Sequence, residues 1–323
     1  MAARRVSRRG FLQGMGAAAG IVALGAELPG PRRARAARPG KLRFGVQTMP
    51  QLVTWDELAA TWQEIDELGL DSGFVFDHFM PIRGDTSGPC FEGWTLLSAL
   101  AARTRRVRVG VLVTGNTYRY PALLAKMAAT VDHVSGGRLI LGMGAGWFDA
   151  EHEAYGIPFS TAGGRARRLA ESVEVVTRLF AEKRSDFTGK YYRLKDAPFE
   201  PKGVQRPHPP LLIGGMGPKV VQPLAARHAD IWHFFAEGDA EAVRPIIARF
   251  DDLCRQAGRE PSAVEKAMSV RPPDLTDTKA AQTRLKALAD AGIGHFVLGL
   301  SAPYDRALLR TWAKEIAPAV REG

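Results

Sequence analysis

Cysteine is almost absent: the 323 residues hold two, Cys90 and Cys254, and no C-x-x-C pair. That excludes a cysteine-built zinc site and a thioredoxin-like redox motif. A single disulfide would need an oxidising compartment, and two unpaired thiols are the expectation. The seven histidines include no H-E-x-x-H, and Glu151-His152-Glu153 cannot put two imidazoles one turn apart, so no metal site is expected. No G-x-S-x-G elbow is present for a serine hydrolase. Beyond Ala36 no apolar run reaches the ~20 residues that span a bilayer. No repeat or low-complexity linker divides residues 37–323.

What is abundant is positive charge, +10 overall. Its location argues against nucleic-acid binding. Residues 1–36 carry seven arginines and one acid, Glu27, for +6, which leaves 10 − 6 = +4 on the rest. A mildly basic enzyme accounts for +4, and the field would favour docking of an anionic ligand. Ser7-Arg8-Arg9-Gly10-Phe11-Leu12 precedes a Gly/Ala-rich run, a basic stretch and Ala34-Arg35-Ala36. This matches a twin-arginine export signal with a small-x-small cleavage site. The expectation is a removable segment 1–36, a partner in the twin-arginine translocase, and an exported domain 37–323. That route carries folded proteins, so a cofactor would be loaded before export.

From Lys41 onward strand and helix signals alternate eight times. Apolar strands are expected at 41–48, 71–76, 106–114, 138–141, 210–214, 230–234, 264–270 and 294–300. Amphipathic or capped helices follow them. Thr54 and Glu57 form a capping box, Pro121 sits at a helix start, and Gly136-Gly137 end that helix. Residues 183–210 interrupt the pattern with turn signals, a short YYRL strand and prolines, and are read as an insertion. Eight βα units in 287 residues predict an α/β TIM barrel, with a doubly wound open sheet as the competing fold.

Such a barrel places its chemistry where strands end. Asp77 and His78 follow the second strand, and a histidine there can donate a hydrogen bond or exchange a proton. A structural Asp–His pair is the plainer alternative. Thr114 and Asn116 follow the third strand and suit either the edge of a heteroaromatic ring or an ordinary turn. Gly142-Met-Gly-Ala-Gly146 is read as a close-contact turn under a ligand, although G-x-G-x-G alone is weak. Ile213-Gly-Gly-Met-Gly-Pro-Lys219 opens a helix and is an anion-binding candidate. Glu92 suits a helix start better than catalysis. Trp147 is a wall for a flat ligand or a core residue, and Arg165, Arg167 and Arg168 are read as a solvated face.

The segments FVFDHFMP, GPCFEGWTLLSALAARTRRVRVGVLVTGNTYRYPALLAKMAATVDHVSGGRLILGMGAGWF, AYGIPF and PHPPLLIGGMG resemble the luciferase-like monooxygenase superfamily, in its F420-dependent oxidoreductase branch. The resemblance implies a TIM barrel holding coenzyme F420, with FMN as the alternative. It implies hydride transfer to or from an alcohol, carbonyl, enoyl or lipid substrate, or monooxygenase chemistry with FMN. A non-catalytic F420- or lipid-binding protein is the alternative of another class. It carries ring contacts onto Asp77 and His78, with His78 as the proton-exchanging group. A non-prolyl cis peptide is implied near Val111-Leu112. Side-chain and phosphate contacts fall on Gly144, Ala145, Gly146 and Trp147, and on Gly214, Gly215, Met216 and Gly217. One relative that oxidises a sugar phosphate uses a glutamate after strand four; Trp147 stands there, which argues against that substrate. Relatives are often dimers, so a homodimer is an expectation.

Overall fold

A computed structural model describes Arg32–Arg33 and residues 41–322. The expected export signal otherwise lies outside the described residues. Eight apolar segments each form a parallel strand: β1 Arg43–Thr48, β2 Ser72–Val75, β3 Arg108–Val111, β4 Leu139–Gly144, β5 Leu211–Gly214, β6 Ile231–Phe234, β7 Glu265–Val270 and β8 His295–Leu300. Each pairs with the next in sequence, and β8 pairs with β1 from His295↔Arg43 to Leu300↔Thr48. The sheet is therefore a closed eight-stranded barrel, and the open-sheet alternative is excluded.

Strand alternation builds two apolar layers. Phe74, Ile140, Leu212, Ile231, Ala267 and Val297 pack inside the barrel. Their neighbours in sequence, among them Val75, Leu141, Ile213 and Trp232, face outward under the helices. Helix α1 (Trp55–Glu67) starts at Thr54, whose hydroxyl accepts from the Glu57 amide at 3.3 Å. Helix α2 (Gly93–Arg103) starts at Glu92, whose carboxylate accepts from the Trp94 and Thr95 amides. Helix α3 spans Pro121–Val134. A six-residue helix that the sequence pattern does not announce, α4 (Asp149–Ala154), precedes the long α5 (Ala162–Ala181). The insertion forms an antiparallel hairpin, Arg184–Thr188 with Arg193–Pro198. Helices α6 (Val221–His228), α7 (Ala240–Gln256) and α8 (Thr278–Asp290) complete the ring with the helical turns of Arg306–Arg321. Both cysteines are free.

Two expectations change. Strand four was expected to end at Leu141, yet β4 runs on through Gly144 because Gly142 and Gly144 pair with Leu212 and Gly214. The first part of the expected glycine turn is thus strand. Strand three was expected to continue to Thr114; β3 stops at Val111, and Thr114–Gly115 pairs separately with β4. The interruption carries a cis peptide between Leu112 and Val113, one bond beyond the expected position.

Candidate active site

The strand ends enclose a cavity of about 810 Å³. Its wall comes from β1 (Gln47), the residues after β2 (Asp77, His78), the Leu112–Gly115 segment, the turn after β4 (Gly144–Trp147), the first turn of α5, the β5–α6 connection, and β6 (His233). This is the face on which α/β barrels carry chemistry.

Asp77 and His78 are adjacent and buried, but they do not pair with each other. Asp77 holds Arg119 in a two-point fork, Nη1 to Oδ2 at 2.6 Å and Nη2 to Oδ1 at 2.9 Å, and accepts the Gly115 amide at 3.1 Å. Arg119 also reaches Glu92. Burial, the larger effect, pushes the Asp77 carboxyl up while Arg119 pulls it back. Burial works to lower the Arg119 guanidinium, but the two carboxylates outweigh it and hold it above its ordinary range. With three hydrogen bonds from two partners, Asp77 is an anchor that ties the second and third strand ends together.

His78 takes its partner from α4. Its Nδ1 lies 3.0 Å from Oε2 of Glu151. Glu151 is fully buried and also accepts from the Tyr118 hydroxyl and from the Phe79 and Met80 amides. Burial would raise the Glu151 carboxyl; the bonds from His78, Tyr118 and Phe79 outweigh it and keep it below the ordinary range. The His78 ring meets Phe76, Trp147 and Phe148 edge-to-face, with centroids 5.0, 5.7 and 5.7 Å away. Neighbouring Cys90 donates to the His78 carbonyl at 3.5 Å, and burial pushes its thiol up to about 12. On the opposite wall burial pushes His233 down to about 3, so it is a neutral ring bonded to Ser269.

The remaining predicted residues divide. Leu112, Thr114, Gly144, Ala145, Gly146, Trp147, Gly214, Gly215 and Gly217 line the cavity. Three do not. Val111 faces outward into the layer under the helices, as alternation requires. Asn116 is held behind the wall, its backbone N–H donating to the Gly144 carbonyl and its Oδ1 accepting from Ser172. Met216 lies at the surface, outside the lining.

The small residues at Gly144 and Gly214 serve packing as well as access. A β-carbon on Gly144 would stand 2.5 Å from Cγ2 of Val113, and one on Gly214 2.9 Å from its Cγ1. A β-carbon at Gly142 would meet the Val111 carbonyl at 2.0 Å. Gly146 is different: its φ of +77° is glycine's own region, and a β-carbon there meets Thr117. Thr114 contributes packing too, since its hydroxyl accepts from the buried Trp94 indole at 3.0 Å.

Sequence reasoning missed Glu151, Arg119, Tyr118, Gln47 and Arg165. Glu151 and His152 were weighed only as metal ligands; their setting between Trp147-Phe148 and Tyr155 was the one local hint of a buried role. Arg165 was read as solvated, yet it is half-buried on the cavity wall. Its Nε donates to the Gly146 carbonyl at 3.1 Å and its guanidinium lies 3.8 Å from the Phe159 ring centroid. Arg167 is exposed, as expected.

Comparison with known proteins agrees with this fold. Residues 39–318 match the model of the luciferase-like monooxygenase family. The F420-dependent glucose-6-phosphate dehydrogenase of Microbacterium testaceum (strain StLB037) is 33% identical over 233 residues, covering 71% of this chain and 68% of that protein. The FMNH(2)-dependent dimethylsulfone monooxygenase of Pseudomonas putida is 32% identical over 174 residues, covering 54% and 46%. Among solved structures, an F420-dependent secondary alcohol dehydrogenase in complex with an F420-acetone adduct superposes with a TM-score of 0.76 at 23% identity, covering 87% of this chain and 99% of the other. The chain belongs to the luciferase-like monooxygenase family.

Proposed function

We propose that this protein is an F420-dependent oxidoreductase that moves a hydride between the deazaflavin and an alcohol, carbonyl or enoyl substrate. The observation that carries the reading is His78: it lines the barrel-mouth cavity with one ring nitrogen committed to a buried carboxylate, in a chain 33% identical to an F420-dependent dehydrogenase.

The cavity suits a large anionic cofactor. Two helix starts, Ala162-Gly163 of α5 and Val220-Val221 of α6, line it, and the latter has no side-chain cap. Their first-turn amides lack helical partners and favour anions. Arg83, Arg165 and Lys219 add positive charge to the same wall. Gly215, Gly217, Lys219 and Arg165 would hold the phosphate and acidic tail. Leu112, Val113, Ala145 and Trp147 would hold the ring.

When bound, the deazaflavin supplies a two-electron hydride acceptor or donor. The chain's own part is to orient the substrate, exclude water and handle one proton. His78 is the candidate for that proton. Trp147, 61% exposed, and Phe235, 66% exposed, stand at the mouth where a sugar-phosphate site would need polar groups. They support a small organic or lipid substrate over glucose 6-phosphate. We further propose that the twin-arginine sequence exports the protein with its cofactor bound, and that it works as a homodimer.

Titrating the purified protein with F420 and with FMN, followed by fluorescence quenching, tests the reading. Micromolar or tighter F420 binding, with F420 reduction or oxidation in a screen of alcohols and carbonyls, is expected. Preference for FMN would move the protein to monooxygenase chemistry, as in the dimethylsulfone relative. Tight F420 binding with no turnover would make it a carrier.

A further inference from the structure

We propose that Glu151 is a positioning residue that sets the tautomer of His78, forming a Glu–His dyad whose free Nε2 is the proton acceptor of the site. The inference rests on the oxidoreductase reading for its catalytic meaning, but its structural claim stands on its own.

Every acceptor position of Glu151 is engaged by a donor. Oε1 takes the Phe79 and Met80 amides, and Oε2 takes the Tyr118 hydroxyl and His78 Nδ1. A carboxylate with this donor set accepts only, so the proton between it and His78 sits on Nδ1. In neutral His78, Nε2 then carries a lone pair. Nε2 has no hydrogen-bond partner among the described residues, and the residue lines the cavity. Phe76, Trp147 and Phe148 box the ring edge-to-face. Glu151 reaches His78 across 73 residues of chain, from a helix whose two buried residues are Glu151 and His152.

The proton step follows. As a substrate alcohol is oxidised, its C–H hydride would leave to the deazaflavin of the proposed function while its O–H bond breaks and the proton joins Nε2. Nδ1 keeps its own proton, and the imidazolium's charge is balanced by Glu151, which itself stays ionised. In the reverse direction Nε2 returns the proton to the developing alkoxide. The dyad thus orients the base and stabilises its charged form without taking the proton, as a buried carboxylate does behind a catalytic histidine. Other charged or titratable groups face His78 as well. The Asp77–Arg119–Glu92 cluster adjoins it, Cys90 bonds its carbonyl, and Tyr118 shares Glu151 with His152 tilted against its ring. Arg83, Arg165, Lys219 and His233 share the cavity wall. Of all these, only Glu151 contacts the ring nitrogens.

The test is nitrogen NMR of the full chain labelled at histidine, with His78→Gln assigning the resonance. In its neutral form wild-type His78 is expected to carry the proton on Nδ1. Glu151→Gln is expected to lose that preference, Tyr118→Phe to keep it. In parallel the F420 Kd of Glu151→Gln should stay within about threefold of wild type. With any substrate that the F420 screen returns, kcat should fall about a hundredfold at little change in KM. A wild-type ring protonated at Nε2 overturns the dyad outright, even if the Glu151 variant fails to fold. So does an unchanged tautomer in Glu151→Gln, or loss of the preference in Tyr118→Phe. Failure of F420 to bind with the expected tautomer present would defeat the oxidoreductase reading and leave the dyad standing.

Discussion

Val113 fills the space that a side chain at Gly144 would need: the methyl carbon Cγ2 stands 2.5 Å from where that β-carbon would sit. The floor of the site is therefore a packed joint between the end of the third strand and the end of the fourth. Gly144→Ala must displace Val113 and the Leu112–Val113 peptide with it. Overpacking of this kind costs about 1–3 kcal/mol. A lower Tm, and weaker F420 binding from the shifted floor, are expected. A Tm equal to wild type would show that Val113 yields freely.

Arg119 neutralises Asp77 where neither is exposed to water, with side chains 9% and 0% accessible. Arg119→Met leaves the carboxyl buried without its partner. Removing one member of such a pair costs about 3–5 kcal/mol. Urea unfolding should show the midpoint falling accordingly. A change below about 1 kcal/mol would mean that water reaches Asp77.

His78→Ala should lower kcat by about 10²- to 10⁴-fold, the usual worth of a positioned proton donor or acceptor. The F420 Kd should change far less, since other residues hold the tail. Equal losses in binding and kcat would make His78 a ring contact only.

Arg165→Glu should weaken F420 binding about tenfold or more, the worth of one charged hydrogen bond. The wild-type Kd should rise with salt, and the slope should be shallower in the variant. A salt-independent Kd would place the acidic tail elsewhere.

Stability should fall in acid. Burial would raise Glu265 and Glu151, but the ion-pair approach of His295 at 2.8 Å and the bond from His78 respectively hold both below the ordinary 4.5 of a glutamate. A lowered carboxyl contributes stability that is complete above its unfolded value and is lost as pH falls through its folded value. Asp77, raised by burial, acts in the opposite sense. Tm measured from pH 7 to pH 3 should drop most steeply below about 4.5, and Glu265→Gln should flatten that drop. An unchanged slope in the variant would remove Glu265 from the account.

The order of elements was legible because each apolar run is local. Helix α1 begins at its Thr54 cap, and α3 begins at Pro121 and is followed by Gly136-Gly137. Alternation of faces along the fully buried β2 and β4 separates inner Phe74 and Ile140 from outer Val75 and Leu141. Placement of Asp77, His78, Trp147 and Gly215 at the barrel mouth followed from strand ends alone. What those side chains do there depended on residues far away in sequence. Arg119, 42 positions on, consumes Asp77, and Glu151, 73 positions on, holds His78. Local pattern carries periodicity and capping, which act within a few residues. Pairing of charges and the fit of Val113 against Gly144 and Gly214 arise only when closure of the barrel brings separate strand ends within bonding distance. Strand ends placed along the chain were enough to foresee the barrel and its rim residues; the partners of those residues came only with folding, because a hydrogen bond is set by spatial distance and not by position along the chain.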